Sequence, residues 1–309
     1  MAKVAVVGAG LIGRAWAIVF ARSGFEVQLW DPAAGACEAA RAFVAERLPE
    51  LHGLGLIADA PADVLARVGI APTLAAALGG VGHVQENGPE RQAEKAELFA
   101  ELDRLAASEV VLASSTSGIP ASAFTANLPG RARCLVAHPI NPPYLVPVVE
   151  LCPAPWTDPA VVGRTAALMR EAGQVPATMR KEVPGFVVNR LQIALVAEAF
   201  RLVRDGVMSQ ADVDACMKHG LGLRWAFMGP FETIDLNAPE GVADYCARYG
   251  PLFDQVEAEM QPLKLTPEMV AAMHAERRKA LPLDRIATRA AWRDRRLMAL
   301  AAHKAGQKE

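Results

Sequence analysis

The chain has 309 residues, enough for two domains with separate hydrophobic cores. Its 32 basic and 34 acidic side chains leave a net charge of −2, which argues against nucleic acid or an anionic membrane as a main partner. No apolar run reaches transmembrane length and a strand begins near the start, so we expect neither a membrane anchor nor a signal peptide. Five scattered cysteines predict reduced thiols, a cytoplasmic location and no metal site.

The first predicted strand, Val4–Val7, leads into a glycine-rich turn that opens a helix. The first glycine of such a turn permits its tightness, the second lets the backbone approach a pyrophosphate, and the third allows close packing of helix on strand. The phosphates would bind the free N–H groups at the start of the helix. The predicted cofactor-binding turn consists of Gly8, Ala9, Gly10, Leu11, Ile12 and Gly13.

Asp31 ends the second predicted strand, eighteen residues after Gly13. A carboxylate there can accept hydrogen bonds from the ribose hydroxyls of adenosine and would repel a 2′-phosphate. Residues 32–36 include no arginine that could bind such a phosphate. The pattern therefore favours NAD over NADP as the cofactor, and the alternative is an ordinary glycine turn with a helix-capping aspartate.

Strand-like and helix-like segments alternate through the first part of the chain, which predicts an α/β fold with a Rossmann-type, doubly wound parallel sheet over residues 1–184. A helical segment at 39–65 separates the second and third strands, and 146–151 with 175–179 completes the sheet. The other predicted strands are 4–7, 26–30, 68–71, 83–86, 110–113 and 134–137.

The pattern changes at Pro184-Gly185, beyond which only helical periodicity remains. We therefore expect an all-α C-terminal domain over residues 185–309. Its predicted helices cover 186–203, 209–219, 241–249, 267–279 and 284–305.

His138 follows an apolar strand and precedes a proline, so it is expected at a strand end, where an imidazole can take or give a proton. Glu150 lies in another apolar run that would bury it, and a buried carboxylate needs a partner. The two residues are predicted to form a general-base dyad. A purely structural histidine–glutamate hydrogen bond is the alternative.

Other polar residues follow neighbouring predicted strands, where the strand ends of a parallel sheet gather ligands at one edge. Glu86 and Asn87 follow the fourth strand, 114–117 the fifth, and Asn141 the sixth. Ser117 could equally start a helix, and the two asparagines could equally be turn residues. Their convergence on one edge is what suggests a site.

Several ordered motifs resemble the 3-hydroxyacyl-CoA dehydrogenase superfamily over almost the whole chain, and more narrowly its lambda-crystallin branch, which has L-gulonate 3-dehydrogenase activity. They are GAGLIG with Asp31, HVQENGPE, SSTSG, HPINPPYLVPVVE, PGFVVNRLQ, GLGLRWAFMGPFET and the closing pattern of Arg289, Trp292, Arg293 and Asp294.

The resemblance implies an NAD-binding domain followed by a helical domain that forms a homodimer. It implies a dyad of His138 and Glu150, with Ser117 and Asn189 binding the substrate oxygen or orienting the nicotinamide. Glu86 and Asn141 occupy positions that the family associates with the cofactor and active site.

The implied reaction is NAD-dependent oxidation of the 3-hydroxyl of a small, L-gulonate-like L-3-hydroxy acid. Residues 32–67 contain no lysine to bind CoA phosphates, which favours a free acid, and Arg224 is a candidate partner for its carboxylate. Arg224 could equally form an inter-helix or inter-subunit salt bridge. Oxidation of a 3-hydroxyacyl-CoA or of a carnitine-type hydroxy acid, and a non-catalytic NAD-binding structural role, are the alternatives.

Overall fold

A computed structural model describes residues 2–307 of the protein. Within these residues, eight strands form one sheet with the order β3-β2-β1-β4-β5-β6-β7-β8. The strands are β1 Lys3–Val7, β2 Glu26–Trp30, β3 Val68–Ile70, β4 His83–Glu86, β5 Val111–Ser114, β6 Cys134–Pro139, β7 Val148–Pro153 and β8 Val175–Thr178.

The order of the strands places the reversal of winding between β1 and β4, as in a Rossmann-type sheet. This confirms the predicted fold class, but the expectation of a parallel sheet was wrong for β7 and β8, which are parallel to each other and run opposite to the other strands. β7 pairs antiparallel with β6, with His138 opposite Glu150. The connection at 140–147 has only eight residues, three of them proline, which is too short for the crossover that a parallel neighbour requires.

Helices cover both faces of the sheet and bury two apolar clusters. One cluster holds Trp16, Phe20 and Met298; the other holds Phe99, Phe124 and Phe186. The helices up to the end of the sheet are α1 Leu11–Arg22, α2 Ala36–Gly53, α3 Pro61–Ala66, α4 Leu74–Ala77, α5 Gln92–Leu105, α6 Ser122–Thr125 and α7 Pro159–Glu171, with a 3₁₀ turn at Arg131–Arg133.

Two helical predictions differ in extent from the structure. The segment expected at 39–65 is two helices, because α2 ends at Gly53 and Pro61 begins α3. The helix expected at 241–249 runs to Glu259 as Val242–Glu259 and contains Pro251. Proline removes one backbone hydrogen bond from a helix interior, but the remaining bonds carry the helix past it.

The chain divides into two compact units: one comprises the chain up to Asn189 with the segment from Ala290 onward, and the other is Arg190–Arg289. The remaining helices are α8 Val188–Arg204, α9 Gln210–Cys216, α10 Gly222–Trp225, α11 Pro230–Asp235, α12 Val242–Glu259, α13 Pro267–Ala280 and α14 Ile286–Ala305, with a π turn at Met217–Leu221 and a 3₁₀ turn at Leu283–Arg285. Among residues 2–307, no helix is long and apolar enough to cross a membrane.

The second unit has almost no interior of its own. Within residues 190–289, only Thr233 and Ala238 are buried. Large apolar side chains of this unit are instead exposed, among them Phe231 (79%), Phe227 (66%) and Phe253 (53%).

His83, at the start of β4, is a buried histidine that lies outside the predicted dyad. Its Nε2 lies 3.0 Å from the Oε1 of Gln85, and burial lowers the pKa of its imidazole to about 4. In the unfolded chain the imidazole has its ordinary pKa of 6.5. Between pH 6.5 and 4 it therefore binds a proton in the unfolded chain but stays neutral in the folded one. The stability that this difference contributes is present above pH 6.5 and is lost as the pH falls toward 4.

We expect the substitution His83→Gln to reduce the acid sensitivity of the fold, since it keeps an N–H donor for Gln85 but cannot titrate. Between pH 7 and pH 5 the natural chain should lose about 2 kcal/mol more unfolding free energy than the variant. Urea unfolding at the two pH values measures this difference. Equal losses in the two proteins would show that His83 does not cause the acid sensitivity.

Candidate active site

The glycine-rich turn joins β1 to α1 with very close backbone packing. A Cβ on Gly13 would overlap the carbonyl oxygen of Gly8, and one on Gly8 (φ +92°) would lie 2.8 Å from the backbone of Asn87. A Cβ on Gly10 would meet no atom within 4 Å. The backbone is therefore packed below the turn and open above Gly10, where the first N–H groups of α1 have no partner within the helix. Leu11 and Ile12 begin that helix.

Asp31 lies at the end of β2, beside this turn. Its Oδ2 accepts a hydrogen bond from Ala9 N at 2.7 Å and its Oδ1 one from Ala33 N at 2.8 Å. A cavity at this point is lined by Gly8, Gly10, Trp30, Asp31 and Asn87 and by three carboxylates of α5, those of Glu94, Glu97 and Glu101. None of the described residues that line it is lysine or arginine. The turn and the acidic cavity fit the diphosphate and adenosine of NAD.

His138 and Glu150 occupy facing positions on β6 and β7. Nδ1 of the imidazole lies 2.8 Å from Oε2 of the carboxylate, and the two side chains are almost fully buried. A carboxylate oxygen can only accept a hydrogen bond, so Nδ1 must carry the hydrogen. In the neutral imidazole Nε2 then carries the lone pair. The antiparallel pairing thus builds a group that can accept a proton at Nε2.

The second oxygen of Glu150 is also hydrogen-bonded. Its Oε1 accepts from the backbone N–H groups of Val187 at 2.7 Å and Val188 at 2.9 Å. Burial raises the pKa of Glu150, but the hydrogen bonds from His138, Val188 and Val187 outweigh it, so the net pKa lies below its ordinary value of 4.5. The carboxylate is therefore held as an anion in a site that excludes most water.

Ser117 and Asn189, which the family resemblance pairs, lie together in the structure. The Nδ2 of Asn189 donates to the carbonyl oxygen of Ser117 at 2.7 Å. Asn189 directly follows Val188, so the same short segment reaches both Glu150 and the turn after β5. The serine hydroxyl lies at an exposed position.

Glu90 is a residue of this site to which sequence reasoning assigned no role. Its Oε1 accepts from the N–H groups of Ser117 and Gly118 at 3.0 and 3.2 Å and from the Thr116 hydroxyl at 2.5 Å, and the Ser117 hydroxyl lies 3.4 Å away. One carboxylate oxygen therefore holds the whole turn. The sequence feature that could have indicated this role is the position of Glu90. It follows Pro89 in the loop after β4, at the same edge of the sheet as the SSTSG turn.

Glu86 was predicted to contact the cofactor, but the structure buries it completely. Its carboxylate forms an ion pair with Lys95 at 3.0 and 3.1 Å and accepts from the Ser114 hydroxyl at 2.6 Å and from Gly88 N. It therefore holds the loop after β4 in place, and a part of Glu86 in cofactor binding stays a prediction. The sequence feature that could have indicated this pair is Lys95, which lies nine residues after Glu86 on the buried face of α5.

The two remaining predicted residues form none of the hydrogen bonds described above. Asn141 is exposed two residues after the end of β6, and a cis peptide bond joins it to Pro142. Arg224 belongs to α10 in the second unit, where its Nη1 lies 3.5 Å from the Oδ1 of Asn237. Its role in substrate binding stays a prediction.

Comparison with known proteins places this geometry in a family. Residues 3–183 match the family model described as the 3-hydroxyacyl-CoA dehydrogenase NAD binding domain, and 185–282 match the C-terminal domain of the same family. A lambda-crystallin homolog from Bos taurus is 44% identical over 96% of this chain and 94% of its own length. An L-carnitine dehydrogenase from Streptomyces griseus is 38% identical over 95% of this chain and 87% of its own.

Among solved structures, 5-formyl-3-hydroxy-2-methylpyridine 4-carboxylic acid 5-dehydrogenase, described as an NAD⁺-dependent dismutase, superposes with a TM-score of 0.85 at 28% identity over the full length of both chains. The cofactor of this fold is NAD, as the glycine turn and Asp31 predicted. The chain belongs to the 3-hydroxyacyl-CoA dehydrogenase family, and its NAD-binding domain covers residues 3–183.

Proposed function

We propose that the protein oxidises the 3-hydroxyl group of a small L-3-hydroxy acid, L-gulonate-like in size and charge, with His138 as the proton acceptor. The buried pair of His138 and Glu150 carries this proposal. A histidine whose Nδ1–H is bound to a carboxylate presents a basic Nε2, and the carboxylate stabilises the imidazolium that forms. Such an acid–base group typically contributes ~10²–10⁴ in rate.

The residues around the pair support the same reaction. NAD⁺, when bound at the glycine turn, supplies the acceptor for the hydride that leaves C3. Nε2 of His138 takes the hydroxyl proton, so the carbon–oxygen bond becomes a carbonyl and the ring becomes an imidazolium. Ser117 and Asn189 provide donors for the negative charge that develops on the oxygen. In the reverse direction His138 returns the proton to that oxygen.

The arginines of residues 32–67 favour a free acid over a CoA thioester. The Nε of Arg41 donates to Val68 O at 3.0 Å, and Arg47 forms ion pairs with Glu46 and Glu50, both at 3.2 Å. Arg67 binds Asp59 and the carbonyl of Ala21. Each of these guanidinium groups already binds partners within the chain. We therefore do not expect this segment to bind the phosphates of CoA. Arg224 is the proposed partner of the substrate carboxylate.

The exposed apolar side chains of the second unit support a homodimer. A helical segment of this length that buries only Thr233 and Ala238 cannot bury enough apolar surface to be stable alone. A second copy of the chain, which presents the same apolar side chains, is the occupant that we propose for this surface.

A substrate panel and one histidine variant test the reaction. NADH formation is followed at about 340 nm with L-gulonate, L-3-hydroxybutyrate, L-carnitine and L-3-hydroxybutyryl-CoA, and we expect the highest kcat/KM with a free acid. The substitution His138→Gln should reduce kcat ~10²–10⁴-fold and leave NADH affinity within twofold, since it removes only the base. His52→Gln, at an exposed position on α2, is the matched control.

Each outcome of the panel has a distinct meaning. Substantial activity in His138→Gln would reject the proposed base. A preference for the thioester or for carnitine would select one of the alternative substrates. Tight NADH binding with no oxidation of any substrate would favour a non-catalytic, NAD-binding role.

Cofactor selectivity should depend on more than Asp31. The substitution Asp31→Asn removes a charge from the ribose site, so the Kd of NAD⁺ should rise roughly tenfold or more, as expected for the loss of a charge-assisted hydrogen bond. NADP⁺ should still bind poorly, because Glu94, Glu97 and Glu101 continue to repel its 2′-phosphate. Replacing these three by glutamine in the Asp31→Asn background should then improve NADP⁺ binding. Equal NADP⁺ affinity in the two variants would exclude a role for the α5 carboxylates.

The assembly is tested by sedimentation. We expect a species of twice the chain mass of 32.9 kDa and an unfolding midpoint that rises with protein concentration. Phe253→Glu on α12 should weaken association, whereas Leu54→Glu, exposed in the first unit, should not. A monomer with concentration-independent stability would contradict the proposed homodimer.

A further inference from the structure

Phe186 has an unusual backbone conformation. Among residues 2–307 it is the one non-glycine residue with a positive φ, +52°, and it follows Gly185 at φ +74°. A left-handed conformation at a bulky residue costs roughly 1–2 kcal/mol and persists only where the surroundings enforce it. Glycine would adopt this conformation without strain, so the presence of phenylalanine requires a reason.

The backbone at this position directs two amides at one carboxylate. Gly185 and Phe186 turn the chain so that the next two N–H groups, of Val187 and Val188, both point to Oε1 of Glu150 at 2.7 and 2.9 Å. Successive amides in such a turn form a concave anion-binding arrangement. Val188 also begins the seventeen-residue helix α8, whose positive dipole end favours a negative charge there.

The side chain of the same residue contacts the other member of the pair. The ring of Phe186 is fully buried, and its centroid lies 5.5 Å from that of His138 at an interplanar angle of 49°. Phe186 belongs to the same buried apolar cluster as Phe124, Val136 and Cys152. Burial of an aromatic side chain offsets the backbone strain, because it stabilises by more than the strain costs.

We propose that Phe186 is a positioning residue of the His138–Glu150 pair. Its left-handed backbone holds Glu150 Oε1 through two amides, which leaves Oε2 for His138 Nδ1, and its ring forms one wall of the imidazole site. This inference deepens the proposed function and rests on the pair being the proton acceptor.

The groups that face Glu150 make its titration a usable signal. His138 on β6 bonds it directly, and on β8 its register neighbour is the non-titrating Ala177. Cys152, two residues along β7, is buried, and its pKa is raised to about 12 by burial and then by the charges of Glu182 and Glu150, so it stays neutral. The remaining hydrogen bonds to Glu150 are the two amides that Phe186 directs.

Two substitutions separate the backbone from the ring. Phe186→Gly keeps the left-handed conformation and removes the ring, whereas Phe186→Val keeps an apolar side chain but is β-branched and resists a positive φ. Phe186→Leu is the conservative control. We expect Val to move the acid limb of kcat/KM up by about one pH unit, which lowers kcat/KM about tenfold at pH values below that limb, since one pKa unit corresponds to a tenfold change in equilibrium. Phe186→Gly should lower kcat but keep the acid limb within about 0.3 pH unit of its position in the natural chain. Phe186→Leu should keep kcat within about threefold of the natural value.

A core residue without a positioning role would give the opposite order. Its variants would lose activity in proportion to the volume removed, Gly more than Val, with the acid limb unmoved, and that result would overturn the proposal. NADH affinity and circular dichroism identify any variant that has not folded. If Phe186→Val does not fold, Phe186→Gly alone tests the proposal. A displacement of its kcat/KM acid limb by as much as about one pH unit would then overturn the positioning role.

A measurement without substrate separates this inference from the proposed function. The carboxyl ¹³C signal of Glu150, assigned with Glu150→Gln, should titrate below 4.5 in the natural chain and in Phe186→Gly, and higher in Phe186→Val. If the natural chain oxidises no hydroxy acid but the titration follows this order, the proposed function fails and the positioning stands. An identical titration in all three proteins would reject the positioning, whatever the activity.

Discussion

Because β7 runs antiparallel to β6, His138 and Glu150 face each other across two neighbouring strands. A parallel neighbour would need a long crossover and would not fix these two side chains in register through so short a loop. The cost of burying the carboxylate is offset by its hydrogen bonds to the imidazole and to two backbone amides. The reversal of strand direction at β7 thus places Glu150 opposite His138, the residue that we propose as the proton acceptor.

The loops at the same edge of the sheet are held by two further carboxylates. Glu86 is completely buried with Lys95 and fixes the loop after β4, and Glu90 gathers the turn that contains Ser117. Neither needs to touch a reacting atom to matter, since catalytic and binding groups must be held within about 0.5 Å of their working positions. The acidic side chains therefore divide into one that binds His138, the proposed base, and two that hold the neighbouring loops.

The sequence predicted the parts that depend on local pattern. Gly8, Gly13 and Asp31 follow from the packing and hydrogen bonding of a strand–turn–helix unit, and the apolar run around Glu150 predicted that its carboxylate needs a partner, for which His138 was the candidate. The antiparallel strand, the Glu86–Lys95 pair and the role of Glu90 were not predicted. Each depends on contacts between segments that hydrophobic periodicity treats separately, and Glu90 lies 27 residues from Ser117 along the chain. Only the folded sheet brings them to one edge.

Phe186 shows why such a site is hard to find from local rules. Backbone preference at this position favours glycine, and helical periodicity counts the phenylalanine as one more apolar residue of the helix predicted at 186–203. Neither rule explains the phenylalanine, whereas the structure places two amides on Glu150 directly after its left-handed backbone and its ring beside His138. Positions where a local preference is violated and the fold nevertheless retains the residue are expected to be functional. The strain at Phe186 is therefore best understood through His138, which its ring contacts, and Glu150, which the next two amides bind, and not through the helix that follows it.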